Sequence, residues 1–211
     1  MKQAESLTRS AFLLAFDLRK NRLAQRGELG YLVRAAALSE LLLAGCLADD
    51  SGKARAVTAP VRPGRLQTAV WEQIAGSPPR AWRHWIGKEH AKSFRLVRDE
   101  LAAARLIRVE QRRILLLFPI QRIEPRMPYL SRRLAERVGQ ATHGGRPVER
   151  LDRDVRVLAA LAAAARLRTV AGTPRRERKE RIQRLSGPVE PIATALRKSI
   201  DAARSSYADG G

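Results

Sequence analysis

Cysteine occurs once, at Cys46, in a chain of 211 residues. No intramolecular disulfide and no cysteine-based zinc centre can therefore form, and a reducing compartment is expected. Aromatic residues make up only 5% of the chain, too few for a ladder on which the bases of a single-stranded nucleic acid would stack. No run approaches the roughly 18 uncharged apolar residues of a membrane span; the best stretch, 35–48, contains Glu40. The opening MKQAESLTRSAFLLAF has an acidic residue in its head and a short apolar run, unlike a secretory leader. A cytoplasmic protein with at most peripheral membrane contact is expected.

Enzyme signatures are also missing. The sequence holds no GxxxxGK[ST], GxGxxG, HExxH or GxSxG. His84, His90 and His143 fall at no metal-ligand spacing, and Cys46, among Leu41, Leu42, Leu43 and Leu47, reads as a small buried hydrophobe. Asp152 and Asp154 come nearest to a carboxylate pair, but residues two apart on a helix face different ways; they read as acids placed at a helix N-terminus. No catalysis, cofactor or metal is expected.

What the chain does have is a folding composition, 45% hydrophobic and 29% charged. Its length suits one domain, over 1–208, able to remove roughly 70% of its unfolded surface from water. Net charge is +20, unevenly spread: residues 1–60 carry +3 and the remainder +17. Such an excess points to an anionic partner, a nucleic acid or a membrane surface. Of the 41 basic residues 34 are arginine. Arginine is the better phosphate fork, but a coding bias toward Ala and Arg would produce the same skew.

Helical periodicity dominates. Leu29, Leu32, Val33, Ala36, Ala37, Leu41 and Ala44 recur at three and four, predicting a buried helix over 28–44 with Gly45 as its C-cap. Ser6 is placed to cap a short helix ending near Phe16, and 49–65 reads as loop with one short strand at 54–58. Two short helices flank Gly76–Pro79, and a helix from His90 to about Leu106 turns Phe94, Val97, Leu101 and Ala104 inward. Ile107–Val109 and Ile114–Phe118 flank a polar tip, predicting a hairpin, followed by a loop to Pro128. Helices are expected over 129–142, 147–170, 174–185 and 188–207. The fold class is mainly α, a single helical domain with one short β-hairpin.

Three runs then resemble one family: AFLLAFDLRKNRL…YLVRAAALSELLLAGCL (11–47), FRLVRDELAAARLI…ILLLFPIQRIEP (94–125) and LDRDVRVLAALAAAARL (151–167). Together, in this order, they look like the Golgi phosphoprotein family. The resemblance implies a mostly α-helical peripheral membrane protein. Eukaryotic members bind phosphatidylinositol 4-phosphate on Golgi membranes and sort glycosyltransferases; a compact, bacterial-type member is implied by the missing N-terminal extension. It also implies a head-group pocket. Arg34, in YLVRAAALSELLLAG, matches its first basic residue, and Arg95 and Arg98, in FRLVRDEL, match its Arg-x-x-Arg pair. The pocket tryptophan falls near Gln25, where there is no aromatic, with Tyr31 as the candidate substitute.

Independently of the family, Arg95 and Arg98 are i, i+3 neighbours, about 5–6 Å apart at Cβ, and two guanidinium forks at that spacing can share one phosphate. Leu115, Leu116, Leu117 and Phe118, flanked by Arg112 and Arg113, are candidates to enter a bilayer interface; as an apolar run bounded by turns they equally fit a buried strand. Arg105, Arg108, Arg112, Arg113, Arg122 and Arg126 would each add about 1 kcal/mol of attraction to an anionic leaflet. The expected partner is an anionic lipid head group at a membrane surface. The alternative is a winged-helix-like nucleic-acid module, with the 90–106 helix in a groove and Arg112 and Arg113 on the wing; Asp99 and Glu100 oppose it.

Overall fold

The computed structural model of the chain describes residues 6–17, 19–20, 22–24, 26–114, 118–167 and 175–208. It is mainly α, with three small antiparallel sheets of two or three strands. Its centre is α2 (Leu29–Leu43), whose Ala35, Ala36, Ala37 and Leu38 are wholly buried. A helix apolar on every side needs neighbours on every side. Here they are α1 (Leu7–Leu14), α3 (Arg65–Ala75), α4 (Trp82–Gly87), α5 (His90–Ala103), α7 (Arg153–Ala164) and α9 (Glu190–Ala208). Helices α6 (Pro128–His143) and α8 (Arg175–Ser186) pack against α7. One core cluster runs from Leu7 through Ile200.

Gly45 ends α2 as expected, with φ +73°. Gly30 is required by a close approach instead. A Cβ there would lie 2.3 Å from the carbonyl oxygen of His90, so only glycine lets α2 pass this near to the start of α5.

Several expectations need correction. Ser6 makes no side-chain cap; the start of α1 is instead held from α2, where Glu40 accepts the Leu7 amide at 2.6 Å and the Thr8 hydroxyl at 2.8 Å. A carboxylate 33 residues away, favoured by the helix dipole, thus replaces the local cap. The turn after α1 carries a two-residue ladder, β1 (Phe16–Asp17) with β2 (Arg22–Leu23). The 49–65 loop hides a hairpin, β3 (Leu47–Asp50) with β4 (Lys53–Ala56), extended by β5 (Arg80–Ala81). Its turn, Ser51–Gly52, has both φ values positive, the type I′ geometry that matches strand twist. The strand therefore spans 53–56 rather than 54–58, and it is paired with β3. The helix expected over 147–170 is broken: a 3₁₀ turn at Val148–Arg150 precedes extended backbone at Leu151 and Asp152, and α7 begins only at Arg153. Asp152 and Asp154 do sit at its N-cap and first turn. Residues 168–170 lie outside the described residues.

The larger hairpin also differs. Strands β6 (Ile107–Ile114) and β7 (Phe118–Pro125) pair along their whole length, so Glu110–Arg113 is strand rather than tip, and 119–125 is strand rather than loop. The period-two alternation explains it: Ile107 and Ile123 are buried while Arg108 and Glu110 face outward. Pro119 and Pro125 are tolerated because both strands of a two-stranded ribbon are edges.

Candidate anion-binding surface

Arg34 is at the middle of the fold, 1% exposed. Its Nε donates to the Trp85 carbonyl, one terminal nitrogen to Ser93 Oγ at 3.2 Å, and the other to Gln73 Oε1 at 2.7 Å. Gln73 Nε2 in turn donates to Glu89 Oε2 at 3.0 Å. One guanidinium therefore ties α2 to α3, α4 and α5, and a buried cation reaches its countercharge through an amide relay. Burial pulls its pKa down to about 10, against the opposing pull of Glu89. Every nitrogen of the fork is committed to the protein interior, which removes Arg34 from any surface grip on a ligand.

Arg95 and Arg98 lie elsewhere on α5. Arg34 reaches the helix at Ser93; at 3.6 residues per turn, Arg98 is rotated about 140° and Arg95 about 200° from that point. The three arginines predicted to converge do not. Arg95 is exposed, with no partner among the described residues. Arg98 is 13% exposed and pairs with Asp99 at 2.7 Å, while its NH1 donates to Gln121 Oε1 at 2.8 Å.

A different arginine, Arg26, shares a partner with Arg98. Arg26, in the turn before α2, donates to Gln121 O at 3.0 Å and to Gln121 Oε1 at 3.2 Å, and its guanidinium carbon stands 5.6 Å above the Phe94 ring. Two guanidinium groups from separate segments thus meet on one amide oxygen supplied by β7. The sequence signal for Arg26 was weak: it lies outside any periodic element, and its partner Gln121 lies in a segment read as loop.

Tyr31 stacks on His90, 4.0 Å between centroids and 12° between planes, so it braces α2 against α5. Gln25 lies outside the described residues.

The hairpin carries less net charge than its arginine count suggests. On its outer face Arg108 pairs with Glu110 at 2.9 Å and Arg122 with Glu124 at 2.5 Å. The register sets Arg108 opposite Glu124 and Glu110 opposite Arg122, closing a neutral square. Arg108 and Arg122 are thereby neutralised, whereas Arg105 and Arg126 are exposed at the base. Arg112, Arg113 and Phe118 belong to the paired strands, with Leu115, Leu116 and Leu117 outside the described residues.

Among the described residues no cluster of three metal-ligating side chains occurs, and no helix is long and apolar enough to cross a membrane. Cys46 is buried. The model of the family described as Golgi phosphoprotein 3 (GPP34) matches residues 7–203. No curated protein matches the chain.

Proposed function

From the premise that the chain belongs to the Golgi phosphoprotein 3 (GPP34) family, we propose that it is a non-catalytic adaptor that sits peripherally on a membrane and binds an anionic lipid head group. Phosphatidylinositol 4-phosphate is the head group the family resemblance implies. The grip is formed by Arg26, Arg95 and Arg98, and Arg34 is the internal brace that fixes the α5 face carrying two of them.

The observation that carries this reading is the shared oxygen of Gln121. An amide oxygen accepting from Arg98 at 2.8 Å and Arg26 at 3.2 Å occupies the position a phosphate oxygen would take, and a phosphate would bring a full negative charge to the same two forks. Asp99, 60% exposed on its side chain, is a competitor that can swing into water. Arg95 adds a third cation one turn away. On the sequence alone, Arg112, Arg113, Leu115, Leu116, Leu117 and Phe118 are the residues proposed to enter the bilayer interface. The neutral square of Arg108, Glu110, Arg122 and Glu124 weighs against the winged-helix alternative, since a wing needs net positive charge along the phosphate backbone.

Co-sedimentation tests this, with phosphatidylcholine vesicles carrying phosphatidylinositol 4-phosphate or, at equal surface charge, phosphatidylserine. Preference for the phosphoinositide that disappears in R26Q/R95Q/R98Q is expected; preference retained in that variant refutes the assignment. A tighter, less salt-sensitive complex with random duplex DNA than with either vesicle would install the nucleic-acid reading instead.

A further inference from the structure

On another side of the molecule α1, the loop before α3, the end of α5 and α6 enclose a cleft of about 560 Å³, within the range of small-molecule sites. Its apolar part is made by Leu13, Leu106, Leu130 and Leu134. Four arginines line it as well: Arg9, Arg62, Arg133 and Arg137.

Those four are not equivalent. Arg9 is neutralised by Glu100 at 2.7 Å and Arg137 by Asp152 at 3.3 Å. Arg62 and Arg133 have no ionic partner among the described residues, which leaves the cleft with an excess of two positive charges over a leucine surface. Arg62 is exposed and holds a left-handed backbone conformation, φ +52°, uncommon for a residue other than glycine. On the cleft wall, Ser10 is only 6% exposed, and its hydroxyl has no hydrogen-bond partner among the described residues. That hydroxyl keeps its contact with the solvent of the cleft, so it can donate to an anion's oxygen there.

We propose that this cleft binds a small amphiphilic anion, its phosphate or carboxylate held by Arg62, Arg133 and the Ser10 hydroxyl and its apolar body lying on the leucines. The site shares no residue with the Arg26–Arg95–Arg98 surface and does not rest on the membrane reading. A lipid fragment and a soluble phosphorylated metabolite present the same chemistry to it.

Calorimetric titration with octyl phosphate below its micellar concentration tests the proposal, with inorganic phosphate and neutral octyl glucoside as separate arms. Saturable binding of one octyl phosphate per chain is expected, at least tenfold tighter than either control. R62Q/R133Q, which alters only exposed side chains, is expected to weaken it at least tenfold with an unchanged melting curve, S10A to weaken it less, and R26Q/R95Q/R98Q to leave it intact. Inorganic phosphate binding as tightly as octyl phosphate would overturn the amphiphile assignment in favour of a free-phosphate site. Binding unchanged in R62Q/R133Q, or several molecules adsorbed per chain, would overturn the site itself.

Discussion

Replacing Arg34 with methionine separates a brace from a ligand contact. Methionine roughly keeps the volume of the arginine stem while removing all of its donors. The Trp85 carbonyl, Ser93 Oγ and Gln73 Oε1 lose their partner together. Ser93 keeps its own bond to the Glu89 carbonyl at 3.1 Å, and Gln73 is near enough to solvent to find water, so the main penalty falls on the Trp85 carbonyl and on the charge-assisted character of the two other bonds. Hydrogen bonds to a charged group contribute about 1.5–3 kcal/mol each, while the downward pull on the Arg34 pKa to about 10 means that holding the charge inside opposes folding by about 3 kcal/mol at 1.36 per pKa unit. Three such bonds less that cost leave a net loss of about 1–6 kcal/mol, or roughly 2–20 °C in Tm for a chain of this size. Thermal melting by circular dichroism reads this directly, and vesicle co-sedimentation well below the melting point reads the function. R34M is expected to melt early and, while folded, to retain most of its lipid binding; R95Q/R98Q, which gives up the Arg98 bond to Gln121, is expected to melt closer to the unsubstituted protein than R34M does and to lose binding. An R34M protein with an unchanged Tm and the binding defect of R95Q/R98Q would refute the brace and return Arg34 to the ligand.

Two further predictions concern the same region. Gln121→Glu puts a fixed carboxylate between Arg26 and Arg98, so an internal anion competes with the head group; vesicle affinity should drop by about tenfold, equivalent to about 1.4 kcal/mol, with Tm unchanged or raised, and stronger vesicle binding would contradict the shared-oxygen reading. Gly30→Ala places a methyl 2.3 Å from the His90 carbonyl oxygen, a contact relieved only by parting α2 from α5; a loss of about 1–3 kcal/mol typical of overpacking, measured by denaturant titration, is expected, and a neutral result would show that the two helices can slide.

Periodicity made the helical core legible. Leu29–Leu43 carries a strong apolar repeat, and Phe94, Val97 and Leu101 turned inward as their spacing requires, although Ala104 already belongs to the exposed end of α5. Local chemistry failed where a distant residue intervened. Ser6 is a good cap by type, but Glu40 arrives from α2 and takes the Leu7 amide. Four polar residues, Glu110–Arg113, look like a turn until Arg108, Glu110, Arg122 and Glu124 are seen to pair across strands. The grouping of Arg34 with Arg95 and Arg98 failed for a related reason. A matching position in a motif carries residue type, whereas accessibility depends on Trp85, Gln73 and Ser93, which come from three other helices. Arg26 carries little signal in the sequence because what recommends it is a strand residue 95 positions away.

The placement of α2 has a consequence during synthesis. This Ala- and Leu-rich helix leaves the ribosome early, but α7 and α9, two of the helices that wrap it, are encoded in the last third of the chain. Until they emerge, the nascent polypeptide holds an apolar rod with part of its circumference uncovered, the kind of segment that sticks to other chains or recruits holdase chaperones. Folding is therefore expected to complete only once α9 has emerged, and a chain cut short ahead of α9 should aggregate rather than yield a smaller working protein.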